Sequence, residues 1–287
     1  MNAYMPSLIN IWKRRKKTYS CRLCGSSIKY LYTLDVLAKH KVRYFECNGC
    51  GSLQTELPYW LDEAYKIPGV HIDVGQAARV IQTWIRLIFI LENIGFDKSA
   101  ECIDYGGSSG LLTRLMRDSG FNYFAFDLYD NAKYSNYFSF SSLSGRQPAL
   151  VSAFEVFEHL PNPRVAIEEI FATRADLIVF STQFYDGQGP DWDYLVPFCG
   201  QHVFFYREAG LADFAEQRGY ALRRTADFLV LVRNGSPYTL HVVAAKAATV
   251  PTGFFGDLVT RIGWGTNDTL RDHVYAMERF QKELVEK

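Results

Sequence analysis

The sequence predicts an α/β fold: a mostly parallel sheet flanked by helices, with a small cysteine-bearing module ahead of it. Three observations predict it. The stretch Cys102–Gly110, CIDYGGSSG, runs from a short apolar entry into a turn of glycine and serine, and from Leu111 the apolar residues Leu111, Leu112, Leu115 and Met116 take helical spacing. Further short apolar runs at Tyr123–Phe126, Ala149–Phe154 and Leu177–Ser181 alternate with helical patterns, as parallel strands joined by crossover helices require. Four of the six cysteines fall as Cys21-x-x-Cys24 and Cys47-x-x-Cys50, ahead of all these elements.

Composition narrows the class. The 287 residues are 48% hydrophobic and 15% aromatic, enough for a substantial core. Thirty-one basic and thirty-one acidic side chains cancel, so no global field attracts nucleic acid or a membrane surface. No apolar run reaches the ~18 residues of a membrane span. The basic run Lys13–Lys17 follows the first apolar residues, the reverse of a signal peptide, and the chain reads as cytoplasmic. Residues 1–60 read as a zinc-binding module of four cysteines with a basic N-terminal tail, and 61–98 as a connecting helical segment. Residues 99–250 read as the ligand-binding core, and 251–287 as a helical appendage that either caps the site or serves homodimer formation.

Taken in order, the cysteines come first. Gly25 and Gly51 follow the two pairs and let backbone amides turn towards thiolates, so Cys21, Cys24, Cys47 and Cys50 are expected to hold a structural zinc ion. The metal compensates for a segment too short to build a large core of its own. Next, Val80, Ile81, Trp84, Ile85, Ile88 and Leu91 form an apolar stripe on a helix from Asp73 to Asn93, with Asp73 and Gln76 as its capping box. The glycine–serine turn follows, and Tyr123–Phe126 ends in Asp127, seventeen residues beyond Gly110. A carboxylate about 20 residues past such a turn accepts from the ribose hydroxyls of an adenosine ligand. The glycine spacing is not G-x-G-x-x-G, which argues against a dinucleotide and an NAD-dependent oxidoreductase.

Asp104-x-Gly106-x-x-x-Gly110 instead resembles motif I of class I S-adenosylmethionine (SAM) methyltransferases, D-x-G-x-G-x-G, with Ser108 at the middle glycine. Glu155-x-x-Glu158-His159-Leu160-Pro161, after the fourth strand, resembles the segment found there in many small-molecule members. With the cysteine module, the chain looks like the zinc-bearing methyltransferases of sugar and secondary-metabolite pathways. The resemblance implies a Rossmann-like, seven-stranded sheet with a terminal antiparallel hairpin, assigned to Phe228–Val232 and Tyr238–Ala245. It implies that Asp104, Gly106, Gly107, Ser108, Gly110, Asp127, Phe154 and Glu155 bind SAM. The third strand finds no distinct pattern within Asp130–Gly145.

The loop Gly187–Cys199 carries Trp192 and Tyr194 and is read as a wall of the acceptor site, because such loops sit where open sheets bind ligands. His202 follows it and is the preferred general base, with His159 and Glu155 as further catalytic candidates. The expected acceptor is a small polar molecule, a sugar or nucleotide-linked sugar, with no nucleic-acid or membrane partner. Two alternatives stand beside this. Glu155, Glu158, His159 and His202 converge on Mg²⁺ in a metal-assisted arrangement similar to small-RNA 2′-O-methyltransferases, or the chain is a non-catalytic adaptor built on its cysteine module.

Overall fold

The computed structural model describes residues 20–66, 75–129, 132–239, 242, 250–262, 271–276, 278–279 and 282. Along the chain run β1 (Ile28–Val36), β2 (His40–Cys47), β3 (Leu53–Thr55), α1 (Leu61–Ala64), α2 (Gln76–Asn93), β4 (Cys102–Tyr105), α3 (Leu111–Asp118) and β5 (Tyr123–Phe126). They continue with β6 (Ser139–Phe140), β7 (Leu150–Ala153), α4 (Pro163–Ala172), β8 (Leu177–Phe180) and β9 (Phe204–Phe205). The last are α5 (Glu208–Glu216), β10 (Tyr220–Arg224), β11 (Leu229–Arg233) and α6 (Phe254–Ile262). Among the described residues no helix is long and apolar enough to cross a membrane.

Two compact units form. The first joins residues 20–66 to Glu158–Arg164 and Gln183–Leu211, so the cysteine segment shares its unit with two pieces from the middle of the chain. Its sheet is antiparallel throughout, in the order β1-β2-β3-β9, and β9 closes it through Leu53↔Phe205 and Gln54↔Phe204. Val42, Tyr44, Leu53, Trp60, Tyr185, Leu195 and Phe205 pack its core. The indole of Trp60, at the N-cap of α1, donates to the carbonyl of Gly200 at 2.8 Å, tying the 183–211 piece to the segment that follows β3 within that unit.

The second unit holds the seven-stranded sheet, in the order β10-β11-β8-β7-β4-β5-β6. β4 pairs in parallel with both β5 and β7, and β5–β6 and β7–β8 are parallel too. The chain therefore leaves β4 in one direction and returns on its other side, which puts the topological switch point at the carboxyl end of β4. Of the stripe expected on α2, Trp84, Ile88 and Leu91 are buried and Val80 and Ile85 are half-buried, whereas Ile81 is exposed; Leu87 and Ile90 complete the buried face, with Leu112, Met116, Leu150 and Val230 in the same core.

Several expectations need correction. The antiparallel hairpin exists, but β11 pairs with β10 on one side and β8 on the other, so the strand assigned after it finds no open edge. Tyr238 lies instead in a turn and Thr239 is helical, while 240–241 and 243–249 fall outside the described residues. The third strand is β6, two residues long, too short to leave a periodic trace. Asp73 and the basic run also lie outside the described residues, and Gly75 stands at the N-cap of α2 without a side-chain cap.

Candidate active site

At the carboxyl end of β4 the chain turns on five small residues, Gly106 to Gly110. Gly106 and Gly110 have φ of +74° and +75°, and Ser108 has φ of +46°, a left-handed conformation unusual for a residue with a Cβ. The amide of Gly106 donates to the Phe126 carbonyl at 2.7 Å, and that of Ser108 donates to Asp127 Oδ2 at 2.9 Å. The second oxygen, Oδ1, accepts from the Tyr129 amide at 2.7 Å. Asp127 therefore faces the turn. Space around the turn is limited on its protein side: a Cβ on Gly106 would come within 2.6 Å of Val156 Cγ2, and one on Gly110 within 2.2 Å of Ser135 Oγ. Both places demand glycine.

Asp104 sits behind the turn at 3% exposure. Ser152 Oγ donates to its Oδ1 at 2.8 Å and Thr113 Oγ1 to its Oδ2 at 3.3 Å, linking β4, β7 and α3. Burial pushes its carboxyl up to about 6, against the two hydroxyl bonds that favour the charged form, with Asp127 adding a smaller upward push. Past β7, Phe154 stacks at a tilt on Phe228 with centroids 4.9 Å apart. Glu155 follows with φ of +54°, exposed; its amide donates to Ser181 Oγ at 3.0 Å, and that hydroxyl donates back to Glu155 Oε1 at 2.8 Å.

In the first unit, Glu158, His159 and His202 come together, with ligand atoms within 4.8 Å of one another. The two imidazoles meet edge to face at 4.8 Å. Tyr194 joins them twice: its Oη donates to Glu158 Oε1 at 2.6 Å, and its main-chain carbonyl accepts from His202 Nδ1 at 2.6 Å. Glu158 is fully buried. Burial, and after it the neighbouring His202, push the His159 ring down to about 3, so it is neutral at neutral pH. Glu155 belongs to the second unit and is not part of this group. Trp192 packs on Tyr185, Tyr194 and Phe205, and Leu195 is buried, so these side chains anchor the predicted acceptor loop to its unit, while Asp191, Asp193 and Phe198 on the same loop stay exposed.

The four cysteines of the zinc expectation also meet. Their sulfurs lie within 4.8 Å of one another, with Cys21–Cys50 at 3.6 Å and Cys24–Cys47 at 3.4 Å, and all four thiols are free. A tetrahedral zinc with ~2.3 Å Zn–S bonds separates sulfurs by about 3.8 Å. The amides of Gly49 and Cys50 both donate to Cys47 Sγ at 3.3 Å, the knuckle geometry that stabilises a thiolate. The donor set fits the ion.

Comparison with known proteins decides the family. The model of a methyltransferase-domain family matches residues 76–225, just over half of the chain. The chain belongs to this methyltransferase family. No curated protein matches it in sequence. Among solved structures it is similar to the magnesium protoporphyrin IX methyltransferase of Synechocystis PCC 6803 with bound S-adenosylhomocysteine (SAH), at 15% identity over 62% of this chain and 96% of that one, TM-score 0.45. It is also similar to the 1,6-didemethyltoxoflavin-N1-methyltransferase of Burkholderia thailandensis (14% identity, 71% and 99% of the chains, TM-score 0.42). A third is CalO1, a methyltransferase of calicheamicin biosynthesis in its SAH-bound form (10%, 61% and 60%, TM-score 0.41).

The methyltransferase brings the residues expected to bind its cofactor to three neighbouring strand ends: Gly106, Gly107, Ser108 and Gly110 after β4, Asp127 after β5, and Phe154 and Glu155 after β7. Asp104 reaches the same end of the sheet, with both carboxylate oxygens engaged by Ser152 and Thr113. Sequence reasoning missed Ser152, Thr113 and Ser181. Single hydroxyls within or beside apolar runs carry no pattern, and only the register Asp104↔Ser152 reveals the first of them.

Proposed function

We propose that this SAM-dependent methyltransferase modifies a small polar acceptor, a sugar or nucleotide-linked sugar, at oxygen or carbon, with His202 as general base. A structural zinc held by Cys21, Cys24, Cys47 and Cys50 belongs to the same reading. The observation that carries it is the bond from His202 Nδ1 to the Tyr194 carbonyl. A carbonyl can only accept, so the proton is on Nδ1, and in the neutral ring the lone pair is left on Nε2, where a base needs it.

When bound, SAM supplies a methyl group on a sulfonium centre, ready for in-line displacement. The turn from Gly106 to Gly110 offers small side chains towards the methionine half, and the Asp127 carboxylate, an acceptor at each oxygen, stands beside that turn to accept from the ribose hydroxyls. Tyr194 fixes the ring of His202 through its carbonyl and anchors to buried Glu158 through its hydroxyl, so the base is oriented before the acceptor arrives. His202 Nε2 then takes the acceptor proton, a contribution of roughly 100- to 10,000-fold. Trp192 and Tyr194 offer aromatic faces, and Asp191 and Asp193 on the same loop are exposed carboxylates, a combination suited to the C–H faces and hydroxyls of a sugar. The balanced charge supports a small acceptor over RNA.

Incubating the full chain with methyl-labelled SAM and, separately, nucleotide sugars, free sugars and RNA oligonucleotides tests the acceptor class. Label entering a sugar fraction is the expected result, and label entering RNA alone overturns it. His202→Ala should cut turnover at least ~100-fold without changing SAH affinity; unchanged turnover removes it from the mechanism. A second reading has a divalent cation at Glu158, His159 and His202, favoured by their mutual proximity. It requires that Mg²⁺ restore turnover to chelator-treated, zinc-loaded protein.

A further inference from the structure

The residues between the two cysteines of the first knuckle are not spacers. The amide of Arg22 donates to Gln54 Oε1 at 2.8 Å, while its guanidinium reaches away from the cysteines. One terminal nitrogen donates to the Pro161 carbonyl at 3.2 Å. The other donates to the Val203 carbonyl and to Thr55 Oγ1, and the whole group stands over the Phe204 ring at 5.8 Å. Pro161 is two residues past His159, and Val203 adjoins His202. The amide of Val203 in turn donates to the Glu158 carbonyl at 2.9 Å, so the segments carrying the two histidines are paired where Arg22 grips them. A second tether runs the other way: Arg164 Nε donates to the Leu23 carbonyl inside the same knuckle at 2.7 Å. Behind the other knuckle a Cβ on Gly210 would come within 2.1 Å of the Cys50 carbonyl, so that side is close-packed too.

We propose that Arg22 is a positioning residue, which transmits the folded state of the cysteine centre to the His159–His202 pair by holding the Pro161 and Val203 carbonyls together. Its guanidinium suits this task because its planar fork can serve two carbonyls at once, whereas a lysine ammonium concentrates its donors at one point. The cysteine centre thereby sets where the imidazoles stand, although none of its thiols touches them. The proposal rests on the reading of the pair as part of the reaction centre, and its test does not use turnover, so failure of either is seen separately.

The test is the histidine-ring NMR spectrum of the full chain, expressed with zinc and labelled at the imidazoles, with His159→Gln and His202→Gln variants to assign signals. Zinc content is measured on every sample. Removal of zinc by chelation is expected to move the His159 and His202 signals. Arg22→Ala and Arg22→Lys are expected to retain zinc, move the same two signals, and leave those of His40 and His273 unmoved. His40 is the internal control, since it lies on β2 in the same unit and bonds to Glu63 instead. The proposal is overturned if a variant that retains zinc leaves both signals in place, or if the signals of all six histidines move together. Loss of zinc by both variants also overturns it, since Arg22 would then belong to the metal site's own stability.

Discussion

The backbone amide of Ser108 donates to the carboxylate of Asp127 at 2.9 Å, so the turn after β4 is closed by the side chain that ends β5. One carboxylate thereby shapes the turn, and in the proposed function it also borders the nucleoside half of the cofactor. Two consequences can be separated by mutation: the strain Ser108 carries, and the cofactor affinity proposed for Asp127.

Ser108→Gly should stabilise the protein slightly. A left-handed backbone costs a residue with a Cβ about 1–2 kcal/mol, and glycine returns about 0.5–1 kcal/mol of that through its freer unfolded chain. A net gain of up to ~1 kcal/mol is expected by denaturant unfolding. Ser108→Val should lose stability, because a β-branched residue tolerates φ of +46° poorly.

Asp104 gives stability a pH dependence of defined sign. Its carboxyl is raised to about 6 in the folded protein, so the folded state holds a proton that the unfolded state releases at lower pH. The favourable contribution of the protonated form is complete below pH ~4 and is lost as pH rises through about 6, for a total near 3 kcal/mol at most. Asp104→Asn, which cannot ionise, should flatten this part of a stability-against-pH curve. A curve with the same slope in the variant would assign the dependence to other groups.

Much of this was legible in the sequence, and the exceptions have a common cause. The knuckles Cys21–Cys24 and Cys47–Cys50, the turn 106–110 and the stripe of α2 are local, so spacing alone specifies them. β6 and β9 are two residues each, and they exist only because distant strands offer them a ladder. The same holds for β11: the run Leu229–Arg233 is apolar on both faces and fits a partner on either side, and only the packed sheet selects β10 and β8. The convergence of Glu158, His159 and His202 was an alternative the sequence offered, with Glu155 wrongly included; that they share a unit with the cysteine segment was invisible, because it depends on β9 closing an N-terminal sheet from more than a hundred residues away.

Cys47→Ser should abolish stoichiometric zinc. Its sulfur accepts two amides and stands 3.4 Å from Cys24 Sγ, so serine removes the best-supported of the four donors. Structural zinc supplies on the order of 10 kcal/mol in small domains. Metal analysis should therefore find about one zinc per chain in the wild type and little in the variant, with a large fall in melting temperature. Equal melting with and without metal would rule out a structural ion there.

Calorimetric titration of the folded full chain with SAH tests the central claim most directly. The wild type should bind one equivalent, and Asp127→Ala, shown by circular dichroism to keep its fold, should bind at least ~10-fold more weakly, as loss of a charge-assisted hydrogen bond requires. Undiminished affinity in Asp127→Ala, or no binding at all by the wild type, would contradict the account.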